Sequence, residues 1–380
     1  LYISCGETYN GPANDWCQAE VKIIGERSEI ESSAIEELHT LSKLPGIVKI
    51  LGMPDLHSGP TGCVIATLDC IYPRFVGSDA GCGMSVFMAG KKSRFNSLRF
   101  QKSIDEIESL SAHEIASLKQ KCNIWDTAYD KDLGTIGGSN HFAEYQCIDT
   151  VMDSELCREL QIHKDMLLLT VHSGSRGLGK SISDAYRNIC LKDESEITRY
   201  MSSHDHAVRW GQANRLGIAS RILRTSTDQI VPLIDICHNQ VVKLSNVYYH
   251  RKGAAPADDG YVILPGSRGS HSYIVKPKAS LTYDNLRDIG FSIAHGAGRR
   301  LTRTKAEAKA LKLCKGNYDS LLTTALNSVV SCLDKKVLCQ EIPEAYKNID
   351  DVILDLAPYV SVVAKLMPVL TIKSLPDNSL

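Results

Sequence analysis

Met166-Leu-Leu-Leu-Thr-Val-His-Ser-Gly-Ser-Arg-Gly-Leu-Gly179 begins with a short apolar run and ends among three glycines. A run of this length, closed by a Gly-rich turn, predicts a buried strand that feeds a loop. His172 then stands where rigid strand gives way to loop, a place where binding residues gather. Lys180 to Cys190 reads as a helix after the loop. Outward from this unit, strands and helices continue to mix. Ser28 to Leu44 carries a Ser cap, early glutamates and apolar residues at helical spacing (Ile30, Ile35, Leu38, Leu41). Phe95 to Lys121 predicts one or two helices, and His204 to Leu223 another. Gly260 to Leu264 and Tyr273 to Val275 predict strands around the loop Pro265-Gly-Ser-Arg-Gly269. No repeat, low-complexity tract or charged linker divides the chain. Lys192 to His204 is the weakest boundary candidate, and the reading is one continuous α+β domain over residues 1–380.

Composition narrows the class. The 380 residues are 43 % hydrophobic and 23 % charged with a formal net charge of −1, which suits a globular enzyme. Bulk charge therefore announces no nucleic-acid partner, and any RNA surface must be a local patch. Thirteen cysteines at scattered spacing, among them Cys5 and Cys17, do not form a disulfide framework. Free thiols suit a reducing compartment, so the expected location is the cytoplasm. Leu1 to Gly6 has no charged n-region and no apolar core, hence no signal-peptide character. The apolar stretch Val352 to Ile372 is interrupted by Asp355, Pro358, Lys365 and Pro368, which argues against a membrane span.

Five candidate metal ligands lie in four separated segments. Asp79 and Cys82 belong to Gly77-Ser-Asp-Ala-Gly-Cys-Gly-Met84, close enough for one turn to aim both at one ion. His141 belongs to Gly134-Thr-Ile-Gly-Gly-Ser-Asn-His-Phe-Ala-Glu144, His172 to the opening segment, and His238 to Asp235-Ile-Cys-His-Asn-Gln240. A carboxylate, a thiolate and imidazoles together suit a divalent transition metal. Singly, each residue has a plainer reading, since a histidine in an apolar strand is commonly a satisfied core residue and a buried cysteine a small apolar filler. Co-occurrence beside Gly-rich loops carries the case.

Three segments predict phosphate binding. Gly134 to Asn140 and Pro265 to Gly269 offer exposed backbone N–H groups. Ala294-His-Gly-Ala-Gly-Arg-Arg300 runs into a helix predicted over Ala297 to Leu313. That reading puts His295 at a helix N-terminus, where free N–H groups and the dipole would hold a phosphate beside the imidazole. Such a histidine can attack phosphorus to give a phosphoramidate. The plainer alternative is that His295 caps the helix and Arg299 and Arg300 form a solvated face. Arg251-Lys252 and Arg299 to Lys305 are basic enough to track an RNA backbone.

Taken in order, Met53-Pro-Asp-Leu-His57, Asp79-Ala-Gly-Cys-Gly83, Gly134 to Glu144, His172 to Gly179, His238-Asn239, His250-Arg-Lys-Gly-Ala254, Pro265-Gly-Ser267 and His295-Gly-Ala-Gly-Arg299 resemble the RtcB family of RNA ligases. The resemblance runs from about Gly52 to Lys373. It implies joining of an RNA 3′-phosphate or 2′,3′-cyclic phosphate to a 5′-hydroxyl, with GTP and two Mn²⁺ ions. It also implies that Asp79, Cys82 and His141 hold one ion and Cys82, His172 and His238 the other, with His295 accepting GMP. Asn140, His141, Phe142, Ala143, Glu144, His238, Asn239, Pro265, Gly266, Ser267, Arg268, Ser272, His295, Gly296, Ala297 and Gly298 would line the GTP site. Tyr346 and Lys373 would lie against guanine, and Asp55 near the metals. Seven residues follow Lys373 here, where the family lysine usually ends the chain. The compact length and the wording Leu264-Pro-Gly-Ser-Arg-Gly269 resemble a branch coupled to a release-factor-like protein. The implied partners are broken tRNA or rRNA, an archease-like activator or that release-factor-like protein, in repair or in tRNA splicing. Two rival readings keep parts of this picture: a metal-dependent cyclic phosphodiesterase or phosphatase with no need of His295, and a silent RNA- or ribosome-binding homologue.

Overall fold

The run at Met166 does form a strand, Met166–Ser173, and it is buried on both faces. Leu168 packs with Met84, Val86 and Ile148 into one core. Leu167, Leu169 and Val171 pack with Ala207, Trp210, Ala213 and Ile218 into a second. Side chains alternate along a strand, so burial of both faces requires the near-continuous apolar run that the sequence shows. The computed structural model describes residues 19–258 and 260–376. The readings of Leu1 to Gly6, Cys5 and Cys17 lie outside the described residues.

The larger sheet runs in the order Val262–Leu264, Ser272–Pro277, Val360–Ile372, Phe142–Val151, Met166–Ser173, Gly83–Lys91 and Ile234–Cys237, with Val329–Ser331 added in parallel to Val360–Ile372. The smaller sheet orders Glu20–Ile23, Ile47–His57, Thr61–Leu68, Val247–Lys252 and Asn239–Leu244. Ala254–Pro256 pairs antiparallel with Ser292–Ala294. The first core lies between the two large sheets, because Leu51, Met53, Val64 and Ala66 of the smaller one join it. Mixed and antiparallel sheets with helices packed against them make the fold α+β.

Helix boundaries depart from the sequence reading at several points. The first helix is Ser32–Leu41, and its N-cap is Glu31 with no side-chain cap bond, so the predicted Ser cap is not used. The helix after the Gly-rich loop is Arg176–Ala185, earlier than Lys180 to Cys190, because the loop glycines themselves enter the helix. Phe95 to Lys121 holds two helices, Ser97–Lys102 and Ala112–Cys122. The suspected boundary at Lys192 to His204 is crossed by a continuous helix, Glu194–Leu223, whose first turn is capped by Asp193. Among the described residues no helix is long and apolar enough to cross a membrane.

Candidate metal and nucleotide site

Strand register explains why four distant segments meet. Adjacent strands of an antiparallel sheet start and stop at the same edge. His141 immediately precedes Phe142–Val151, His172 lies near the end of Met166–Ser173, Cys82 immediately precedes Gly83–Lys91, and His238 immediately follows Ile234–Cys237. The pairs Phe142↔His172, Met84↔His172 and Gly83↔Cys237 align these ends. The result is one cluster. Cys82 Sγ is 3.3 Å from both His141 Nε2 and His172 Nε2. The ligand atoms of the three residues lie within 4.8 Å of one another. Asp79 Oδ2 is 3.1 Å from His141 Nε2. The rings of His172 and His238 are 5.1 Å apart, centre to centre.

The donor chemistry fits a divalent cation. His141 Nδ1 lies 3.1 Å from the Ile136 carbonyl, which can only accept, so Nδ1 carries a proton, and a cation that displaces the proton Nε2 shares with Asp79 would meet a lone pair there. Buried His238 Nδ1 has no hydrogen-bond partner. Burial, with help from neighbouring positive groups, holds the pKa of His172 and His238 well below the usual imidazole value, so both are neutral and able to ligate. Burial and then the adjacent Asp79 carboxylate push the Cys82 thiol well up. Burial alone would also raise Asp79, but the hydrogen bond and charge of His141 outweigh it and hold the carboxyl below its usual value. A bound cation would reverse the cost of the thiolate. Gly174 leaves room for this carboxylate, since a β-carbon there would sit 2.4 Å from Asp79 Oδ2.

His295 is not at a helix N-terminus. It follows the strand Ser292–Ala294 directly, and the next helix is Arg303–Cys314 with Thr302 as N-cap. The intervening loop is held off the helix by pairing of Arg299 with Tyr346 and by the bond from Ala297 N–H to the Pro265 carbonyl. Gly298 adopts a positive φ of 68°, and a β-carbon there would meet the Asp55 carbonyl at 2.3 Å. The helix-dipole argument for His295 therefore falls, and Asp55 takes its place. Asp55 Oδ2 accepts from His295 Nδ1–H at 2.6 Å and from the His295 backbone N–H at 3.0 Å. The carboxylate is fully buried and the imidazole is largely so. With its proton held at Nδ1, His295 bears a lone pair on Nε2. Its ring is 4.8 Å from that of His238, which puts Asp55 and His295 beside the cluster.

A cavity of about 530 Å³ lies against these groups, with Cys82, His141, His238 and Asp55 buried behind its wall. Asp79, Asn140, Phe142, Glu144, His172, Asn239, Pro265, Gly266, Ser267, Arg268, His295, Gly296, Ala297, Gly298, Tyr346 and Lys373 all line it. Ala143, with its side chain in the second core, and Ser272, which accepts from Gln146 Nε2, stand behind the wall. The described residues after Lys373 leave the cavity, and Arg221 of the long helix holds the Pro376 carbonyl at 2.7 Å. Glu144 is buried between Gln146 and Thr371, and burial raises its pKa to about 7 against the pull of those hydrogen bonds and Lys373.

Part of the amides in the expected phosphate loops is used internally. Gly134 and Thr135 N–H both donate to Asn214 Oδ1, and Ser267 N–H donates to Ser270 Oγ. Arg251 is buried, bonded to Ser292 Oγ and the Phe291 carbonyl, so it offers no RNA surface. Arg299 is tied to Glu341 at 2.9 Å. Lys252, Arg300 and Arg303 are left on the cavity wall.

Sequence reasoning missed the braces. Arg215, 1 % exposed, donates to the Gly81 and Ser173 carbonyls, to Ser85 Oγ and to Asp235, so it ties the Cys82 turn to the end of the His172 strand. Asn214 joins the two Gly-rich loops through Thr135, Ser173 and Gly174. Lys347 Nζ grips the carbonyls of Pro54 and Leu56 on either side of Asp55, and burial lowers its pKa to about 8 despite Asp55 nearby. The available signal was an Asn-Arg pair inside the otherwise small and apolar stripe of the long helix.

Comparison with known proteins agrees with this geometry. A family described as tRNA-splicing ligase RtcB matches over residues 37–124 and 88–374. The chain belongs to the RtcB family. It is 38 % identical to the RNA-splicing ligase RtcB2 of Escherichia coli over 360 residues, covering 91 % of this chain and 93 % of the relative. The RNA-splicing ligase RtcB of Escherichia coli K12 is 28 % identical, covering 93 % and 97 %. The tRNA-splicing ligase RtcB of Methanococcus maripaludis is 26 % identical, covering 85 % and 87 %.

Proposed function

We propose that this chain is an RNA ligase that joins a 3′-phosphate or 2′,3′-cyclic phosphate end to a 5′-hydroxyl end, using GTP and a histidine–GMP intermediate. The observation that carries the reading is the Asp55–His295 pair, whose imidazole lines the cavity with its ring 4.8 Å from that of His238. A phosphodiesterase would need the metal ligands but no histidine that becomes bonded to GMP.

Asp55 holds the proton at Nδ1 of His295, so Nε2 attacks the α-phosphorus of GTP. The Nε2–P bond forms as the bond to pyrophosphate breaks. An oxygen of the RNA 3′-phosphate then attacks the same phosphorus, the N–P bond breaks, and His295 is regenerated. The RNA 5′-hydroxyl attacks the activated 3′-phosphate and expels GMP. Asp79, Cys82, His141, His172 and His238 would hold two divalent ions, Mn²⁺ by preference, which when bound polarise the phosphates and offset developing charge. Glu144, Tyr346 and Lys373 enclose the base, and Lys252, Arg300 and Arg303 receive the RNA backbone. The substrates are broken tRNA or rRNA in the cytoplasm, the catalytic unit is a single domain, and an archease-like or release-factor-like protein is the partner to look for.

The test is to incubate the protein with Mn²⁺ and GTP labelled at the α-phosphate and denature it. Label stable to alkali, lost in acid and absent from His295→Ala is the expected result. Equal labelling of the variant would refute the assignment of the nucleophile. No label on metal-loaded parental protein would refute the ligase reading.

A further inference from the structure

Arg268 is the one cavity-lining cation of Pro265-Gly-Ser-Arg-Gly269, a loop whose Ser267 and Gly269 amides bond to neighbouring serine hydroxyls. It is 7 % exposed, and its Nε and Nη1 are buried without a hydrogen-bond partner. A buried guanidinium with idle donors is rare unless something outside the chain completes it. Glu341 is occupied by Arg299, by the Tyr346 hydroxyl and, at 3.9 Å, by Lys373.

The charged and polar groups that act most strongly on Arg268 are Cys332, Glu341, Tyr346 and Glu344, and its charge is also felt at Lys373. None belongs to the metal cluster or to the Asp55–His295 pair. Arg268 therefore stands at the Tyr346–Lys373 end of the cavity, away from the phosphate chemistry. At this end lie an aromatic ring and the Glu144 carboxyl, which interacts with Lys373. These groups match guanine edge by edge. Its N1–H and N2–H₂ are donors that suit a carboxylate, whereas O6 and N7 are acceptors that suit a guanidinium.

We propose that Arg268 donates to the O6/N7 edge of the guanine ring and is the residue by which the cavity rejects adenine. Adenine places an amino donor where guanine has O6, so donor would face donor and the guanidinium would stay incomplete. The proposal rests on the reading that the cavity takes GTP.

The experiment is calorimetric titration of the metal-loaded protein with GMP, 7-deaza-GMP and AMP, repeated on Arg268→Met and Arg268→Gln. In the parental protein 7-deaza-GMP, which lacks only the N7 acceptor, should bind about tenfold or more weakly than GMP, and AMP more weakly still. In both variants GMP should weaken by about tenfold or more, and the gap between GMP and 7-deaza-GMP should close. The parental comparison needs no variant, so misfolding of one variant leaves the inference open to refutation. Equal binding of GMP and 7-deaza-GMP by the parental protein would overturn it. So would a gap that persists in the variants while all nucleotides weaken alike, the mark of a phosphate contact. Failure of the parental protein to bind GMP at all would instead remove the GTP reading itself.

Discussion

Asp55→Asn is the most informative single change. Asp55 Oδ2 accepts two N–H groups of His295, one from the ring at 2.6 Å and one from the backbone at 3.0 Å. Asparagine supplies one acceptor oxygen and one NH₂ donor in the same volume. Both bonds end on Oδ2, so the amide oxygen takes that place and keeps them, and the NH₂ takes the place of the unpartnered Oδ1. What is lost is the negative charge that offsets the positive charge the ring gains as Nε2 bonds to phosphorus. Loss of one such contact in a buried site costs about 10²- to 10³-fold in rate, or about 2.7–4 kcal/mol of barrier. Folding should survive, because the substitution removes a buried charge whose second oxygen has no partner. The assay is single-turnover labelling of the protein by α-labelled GTP under rapid quench, with bound manganese measured on the same samples. A variant that keeps its metal and labels within about threefold of the parental rate would refute the role of the Asp55 charge in the attack.

Two other outcomes follow from the same geometry. Cys82 Sγ lies 3.3 Å from two imidazole nitrogens, so Cys82→Ala should retain less than about a tenth of the parental manganese after dialysis, by mass spectrometry of the metal; parental retention would remove the thiolate from the ligand set. Burial raises the Glu144 pKa from 4.5 to about 7, so its protonation favours the folded state, and that contribution is lost as pH rises from about 4.5 through about 7. The gap corresponds to at most about 3 kcal/mol; Glu144→Gln, followed by denaturant unfolding of metal-free protein at pH 5.5 and 8.5, should flatten that part of the pH dependence, and an unchanged profile would show that the carboxyl is not held protonated.

Local sequence was sufficient wherever a residue's neighbours along the chain decide its state. The run at Met166 read as a buried strand and is one, whereas of the glycines after His172 only Gly174 stays outside the next helix. The five ligand candidates and His295 were legible because their residue types and Gly-rich surroundings are rare together. Fold class followed from the mixture of periodicities. What the chain could not show locally was set by contacts across long separations. His295 reads as a helix start until Asp55, 240 residues away in sequence, Pro265 and Tyr346 hold its loop outside the helix. Arg251 reads as surface charge until the Ser292–Ala294 strand and its flanks bury it. Arg215 and Asn214 read as ordinary helix residues until the sheet edge turns toward them. Sequence by itself determined which residues could do the chemistry, because ligand and nucleophile character belong to the side chain. Tertiary structure decided which of them meet, which nitrogen of His295 carries the proton and which charges are buried. Those properties depend on the register of strands far apart in the chain and on the low dielectric that their packing creates.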